Sequence, residues 1–145
     1  MRSVFLCTFG CLLLLPAAVQ ADDKAEWKKL QGTYQLKSAK RGGKDAPPAI
    51  LKMKLAISEG KFTIITERNG MEKRWVTIVK IDFSKKPTQI DFLGKDDKVR
   101  EFGILKLEAT NLTICSVSKA KRPEKFESKA GSRITLLIFS RIKSK

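Results

Sequence analysis

Between Gly32 and Arg141 the chain falls into eight short runs of alternating or continuous apolar residues, each ended by Gly, Pro, Asn or Asp. Alternation with a period of two puts successive side chains on opposite faces of an extended strand, so these runs read as strands with one buried and one solvated face. The first begins at Gly32 and alternates cleanly to Ser38. The others cover Met53–Ile57, Lys61–Thr66, Lys73–Ile81, Gln89–Leu93, Arg100–Leu107, Leu112–Val117 and Arg133–Arg141. Glu59-Gly60 marks a tight turn. Asn69-Gly70 is the strongest hairpin signal, because both central residues of a type I′ turn need positive φ. Arg41-Gly42-Gly43-Lys44 and Pro47-Pro48 suit no central strand and read as an irregular connection.

Links of hairpin length make neighbours in sequence neighbours in the sheet. Eight strands joined in this way close into a ring, which removes the unpaired edges an open meander would keep. The expected fold is therefore all-β: a single antiparallel up-and-down barrel of about eight strands, with a two-sheet sandwich as the alternative. Ahead of it, Asp22 to Leu30 reads as a short helix that puts Trp27 and Leu30 on one face, placed to close one end of the barrel.

The first 21 residues have the pattern of a secretory signal. Arg2 supplies a positive start, Val4-Phe5-Leu6 and Leu12 to Leu15 an apolar stretch, and Val19-Gln20-Ala21 the small residues of a cleavage site. The expected organisation is a signal peptide over 1–21 and one barrel domain over 22–145, exported and either periplasmic or secreted. A retained anchor is the alternative, although the apolar stretch is shorter than the roughly 20 residues a span needs. No later segment competes with it, so the mature chain is expected to lack a transmembrane segment.

Composition narrows the chemistry. With no histidine in 145 residues, the chain has no Ser-His-Asp or Cys-His nucleophile system and no His-ligated zinc. Of three cysteines, Cys7 and Cys11 lie in the signal, and Cys115 reads as a small buried core residue rather than a reactive thiol. Asp96-Asp97 and Glu124/Glu127 fall in expected exposed turns, where nothing would raise a carboxyl pKa for acid catalysis. The expectation is a non-enzymatic protein with no cofactor and no metal site, and a monomer. Thirty Lys and Arg against fifteen Asp and Glu give a formal charge of +15. Such a field attracts acidic polysaccharide, anionic lipid or nucleic acid, while scattered lysines also serve simply as a solvated surface.

Motifs spread along the chain carry a resemblance. Trp27 to Tyr34 reads WKKLQGTY, and Lys61-Phe62-Thr63, Lys85 to Asp91, Gly103 to Leu107, Leu112 to Cys115 and Arg122 to Phe126 follow in order. Together they resemble a small exported domain family abundant in planctomycetes, whose opening usually reads L-x-G-T-W. That resemblance implies a lipocalin-like barrel and brings no established activity with it. Lipocalins more broadly carry a Gly-x-Trp on the first strand and an arginine near the end of the last one. Gly32, Tyr34 and Arg141 occupy similar places here, with tyrosine standing where tryptophan is usual, and this implies a structural barrel closure.

The sharpest functional candidate is the barrel interior. Alternation nominates Tyr34, Leu36, Leu55, Ile57, Phe62, Ile64, Trp75, Val79, Ile90, Phe92, Phe102 and Ile104 as inward-facing. Among them Tyr34, Phe62, Trp75, Phe92 and Phe102 are the candidate ligand-binding residues for a small apolar or amphipathic molecule. An eight-stranded barrel either holds one such ligand or is filled by its own side chains. The stretch Lys119 to Glu127 reads as a packed surface loop with Phe126 plugging a barrel end, or alternatively as a lid or anion-binding loop.

Overall fold

A computed structural model describes residues 17–143, with side chains described from Asp22 onward. Residues 1–16 of the signal expected over 1–21 lie outside the described residues, as do Cys7 and Cys11. Helix α1 spans Ala17–Leu30 and is followed by β1 (Gly32–Arg41), β2 (Lys44–Asp45), a 3₁₀ turn (Pro48–Lys52) and β3 (Lys54–Ser58). Next come β4 (Lys61–Arg68), β5 (Met71–Asp82), β6 (Thr88–Leu93), β7 (Val99–Glu108), β8 (Asn111–Ser118) and β9 (Thr135–Arg141).

Every strand pair is antiparallel, and each of β3 to β8 pairs with the next. The first half of β1 pairs with β3, and β1 also pairs with β9 from Tyr34↔Arg141 to Arg41↔Thr135. That last pairing closes a lipocalin-like barrel of eight strands; β2 is a two-residue flap on the end of β1.

The turns explain the tight links. Asn69 and Gly70 both have positive φ, 54° and 72°, as the two-residue hairpin between β4 and β5 requires. Gly42 and Gly43, at φ 56° and 78°, build the same kind of turn between β1 and β2. The Gly-Gly pair is therefore a hairpin and not the irregular connection expected, because two flexible residues satisfy a type I′ turn as well as Asn-Gly does.

Two register irregularities shape the barrel. Between Leu36 and Ser38 of β1 the pairing with β9 shifts, so exposed Lys37 is the extra residue and Ala39 returns to the interior. Between Phe92 and Leu93 of β6 the pairing with β7 shifts too: Phe92 faces Glu101 and Leu93 faces Val99, which leaves Arg100 as the bulged residue.

The core is the inner face of the ring: Leu36, Leu55, Ile57, Phe62, Val79, Ile90, Leu105, Leu112, Ile114 and Phe139 are all buried. Gly103 of β7 faces inward against Ile90, where a Cβ would come within 2.9 Å of the Cys115 carbonyl and 3.0 Å of Ile90 Cγ2. Burial of this face stabilises the fold at about 25 cal/mol per Å² of apolar area.

Candidate functional site

One end of the barrel is sealed. Helix α1 ends at Leu30, which is buried with Tyr34, and Trp27 packs edge-on against Phe83 with ring centroids 5.8 Å apart. The fully buried Tyr34 hydroxyl donates to the Leu30 carbonyl at 2.8 Å and accepts from Arg141 Nη2 at 2.5 Å. The same Arg141 nitrogen donates to the Lys29 carbonyl, and the guanidinium lies 5.1 Å from the Tyr34 ring centroid. Gly32, at φ 139°, lets the chain enter β1 beneath this guanidinium; a Cβ there would sit 3.9 Å from Arg141 Nη1. Burial raises the Tyr34 hydroxyl above its ordinary pKa, against the opposing pull of Arg141.

The opposite end is hollow. A cavity of about 430 Å³ lies among Met53, Leu55, Phe62, Ile64, Phe92 and Leu137, with Ile114 and Phe139 contributing to its wall. That volume is within the range of about 300–1,000 Å³ typical of small-molecule sites. Phe62 and Phe92 meet edge to face at 6.1 Å and form part of the apolar lining. The cavity persists because the strands splay here. β6 pairs with β5 only over Val79–Asp82, so the β4–β5 hairpin from Met71 to Ile78 stands beyond the ring. It carries Met71, Trp75, Val76 and Ile78 exposed.

A few polar groups converge on this apolar wall. Thr77, Thr135, Ser116, Arg100 and Glu101 all line it. Ser116 and Ser118 donate to the two Glu101 oxygens, each at 3.1 Å. Arg100 Nη2 donates to Asp96 Oδ1 at 2.9 Å. Burial acts to raise the Asp96 carboxyl, but backbone donors and Arg100 outweigh it and hold the group below the usual carboxylate range.

Outside the ring, residues 119–134 form a strap across β6, β7 and β8. Arg122 pins it: Nη1 donates to the carbonyls of Ile90 (2.9 Å) and Gly103 (2.7 Å), Nη2 to Asp91 Oδ1 (2.5 Å), and the guanidinium sits 5.3 Å from the Phe102 ring. Ser128 Oγ accepts from the Gly43 amide at 3.0 Å and donates to the Ile134 carbonyl at 2.8 Å. Phe126 lies under Lys106 Nζ at 5.2 Å, so it covers the outer face of the barrel and does not plug an end. Cys115, buried and in no disulfide, points at the strap, where Sγ donates to the Lys125 carbonyl at 3.5 Å and to that of Glu127 at 3.7 Å. Burial pushes its thiol pKa up.

The five expected ligand-binding residues therefore separate. Phe62 and Phe92 are together in the cavity wall. Tyr34 belongs to the sealed end. Phe102 faces outward, because the β6–β7–β8 register turns Glu101, Gly103, Leu105 and Leu107 inward and leaves Phe102 and Ile104 under the strap. Trp75 pairs with Ile64 on the inward parity but is 50% exposed, since the hairpin that carries it outruns the ring. Met53, Leu137, Phe139, Ser116 and Glu101 line the cavity without having been singled out. Alternation in Thr135 to Phe139 would have found the β9 pair; nothing in the local pattern distinguishes Glu101 from a solvated strand residue.

Among the described residues, no cluster of His, Cys, Asp and Glu could hold a metal ion, and no helix is long and apolar enough to cross a membrane. Glu124 and Glu127 in the strap are tied to neighbouring cations. Lys121 sits 2.6 Å from Glu124 and draws its carboxyl below the usual range, and Lys129 lies 3.2 Å from Glu127. Compared with known proteins, the chain matches no family model and no curated sequence.

Proposed function

We propose that the protein is an exported, non-enzymatic binding module that takes up one small apolar or amphipathic molecule in the open half of its barrel. The supporting observation is the cavity lined by Phe62, Phe92, Ile64, Met53 and Leu137, apolar over most of its wall and ringed by a few polar groups. This is the ordinary construction of a small-molecule site. The signal-like first 21 residues and the planctomycete-family motifs support the export half of the reading. Affinity would come from apolar area removed from water, at about 25 cal/mol per Å².

Titration with a neutral fluorescent probe such as N-phenyl-1-naphthylamine tests this. One saturable site per chain is expected, with an affinity that barely changes between low and high salt. Binding confined to low salt would assign the signal to the basic outer surface, whose attraction for polyanions is screened by ions. Folded protein that takes up no probe would end the reading.

A further inference from the structure

The ligand's head group is written in the charges at the cavity mouth. The β6–β7 bulge brings two oppositely charged neighbours, Arg100 and Glu101, to the same wall, and the structure satisfies them differently. Arg100 is answered by Asp96 at 2.9 Å, an aspartate that also lies 4.0 Å from Lys98. Glu101 has no cationic partner among the described residues; it receives only the hydroxyls of Ser116 and Ser118. An ionised carboxylate offers about four acceptor sites, and two hydroxyls use half of them. In a chain with twice as many cations as anions, a half-buried carboxylate left without a cation on an apolar wall is conspicuous.

We infer that Glu101 is the head-group receptor of the cavity, and that the ligand it fits is an apolar molecule ending in a primary ammonium. The head would donate to Glu101 between the two serine hydroxyls. The chain or ring system would lie on Phe92, the cross-strand partner of Glu101, and on Phe62, Ile64 and Leu137. Ser116, itself buried, fixes the carboxylate from the wall side, so the receptor is held in place before the ligand arrives. Carboxylate and apolar wall together select against the two commoner amphiphiles. A fatty acid would set its carboxylate against Glu101, and an alcohol would leave the charge of Glu101 unanswered.

This inference rests on the cavity being the binding site, and one experiment separates the two. Octylammonium, octanol and octanoate share an apolar tail and differ only in head group. Each is titrated at neutral pH by displacement of the neutral probe. Octylammonium is expected to bind at least about tenfold more tightly than octanol, with octanoate weakest. In Glu101→Gln, which keeps the shape and removes the charge, the three should fall within about threefold of one another. Equal displacement by all three in the wild type would overturn the assignment of Glu101 and leave the cavity reading standing. Preference for octanoate would overturn it in favour of Arg100. Failure of all three to displace a probe that does bind would remove both. The wild-type ranking decides even if Glu101→Gln folds poorly.

Discussion

The two ends of the barrel use the same eight strands to opposite effect. At the α1 end, Leu30, Tyr34, Trp27 and Phe83 fill the ring, and Arg141 ties the first and last strands to the helix. At the other end the β4–β5 hairpin stands beyond the ring up to Ile78, the β7 bulge turns charged side chains to the rim, and a cavity opens between Phe62 and Leu137. Inward-facing side chains are large at both ends, so residue size alone does not decide which end is filled. What differs is cover: α1 lies across one end, whereas the other has no α-helix among the described residues, only the short 3₁₀ turn Pro48–Lys52 beside β1. Truncating a side chain should accordingly cost stability at the sealed end and affinity at the open one.

The largest effect should come from Tyr34→Ala. It removes a fully buried ring together with both hydrogen bonds of its hydroxyl, and a loss of about 3–5 kcal/mol is expected in urea denaturation. Arg141→Ala should follow at about 1.5–3 kcal/mol, since it frees the Lys29 carbonyl and the Tyr34 hydroxyl at once. Phe92→Ala, half-buried at the open end, should cost only about 1–2 kcal/mol while weakening neutral-probe binding about tenfold. If Phe92→Ala destabilises as much as Tyr34→Ala and leaves probe binding intact, the two ends do not differ as described.

Smaller effects sharpen the contrast. Burial raises the Tyr34 pKa above 10.0, so the folded state holds that proton more tightly than the unfolded chain. The stability it contributes is fully present below pH 10 and is lost as pH rises beyond it. Alkaline denaturation of the wild type should therefore contain a component that Tyr34→Phe lacks, read as the difference between their stabilities at pH 9 and pH 11. Trp75→Ala, on the exposed hairpin, should change stability by no more than about 0.5 kcal/mol.

Much of this architecture was legible in the chain. All eight long strands lie where alternation puts them, because a closed antiparallel ring with a solvated outside writes a period of two into each. Asn69-Gly70 announced its hairpin directly. What the pattern could not resolve was parity on strands apolar on both faces. Arg100 to Leu107 offers Phe102 and Ile104 on one face and Leu105 and Leu107 on the other, and Leu112 to Val117 is buried on both sides. The tie is broken by the strap, whose Arg122 and Phe126 cover the outer face. A long polar segment gives no sequence signal of which strands it will cover. Cys115 shows the same limit: it is buried, as expected of a small strand residue, but under the strap and not inside the ring. For the candidate site, the alternation that nominated Phe62 and Phe92 carries no information about where strands splay, and so none about Tyr34 and Trp75 lying outside the cavity.

The most direct test of the contrast is a methyl-detected NMR titration with N-phenyl-1-naphthylamine. Shifts should concentrate on Met53, Ile64, Ile114 and Leu137 around the cavity, while Leu30, Ile81, Leu105 and Leu107 near the sealed end stay fixed. Movement confined to the sealed end, or to the exposed methyls of Met71, Val76 and Ile78, would contradict it.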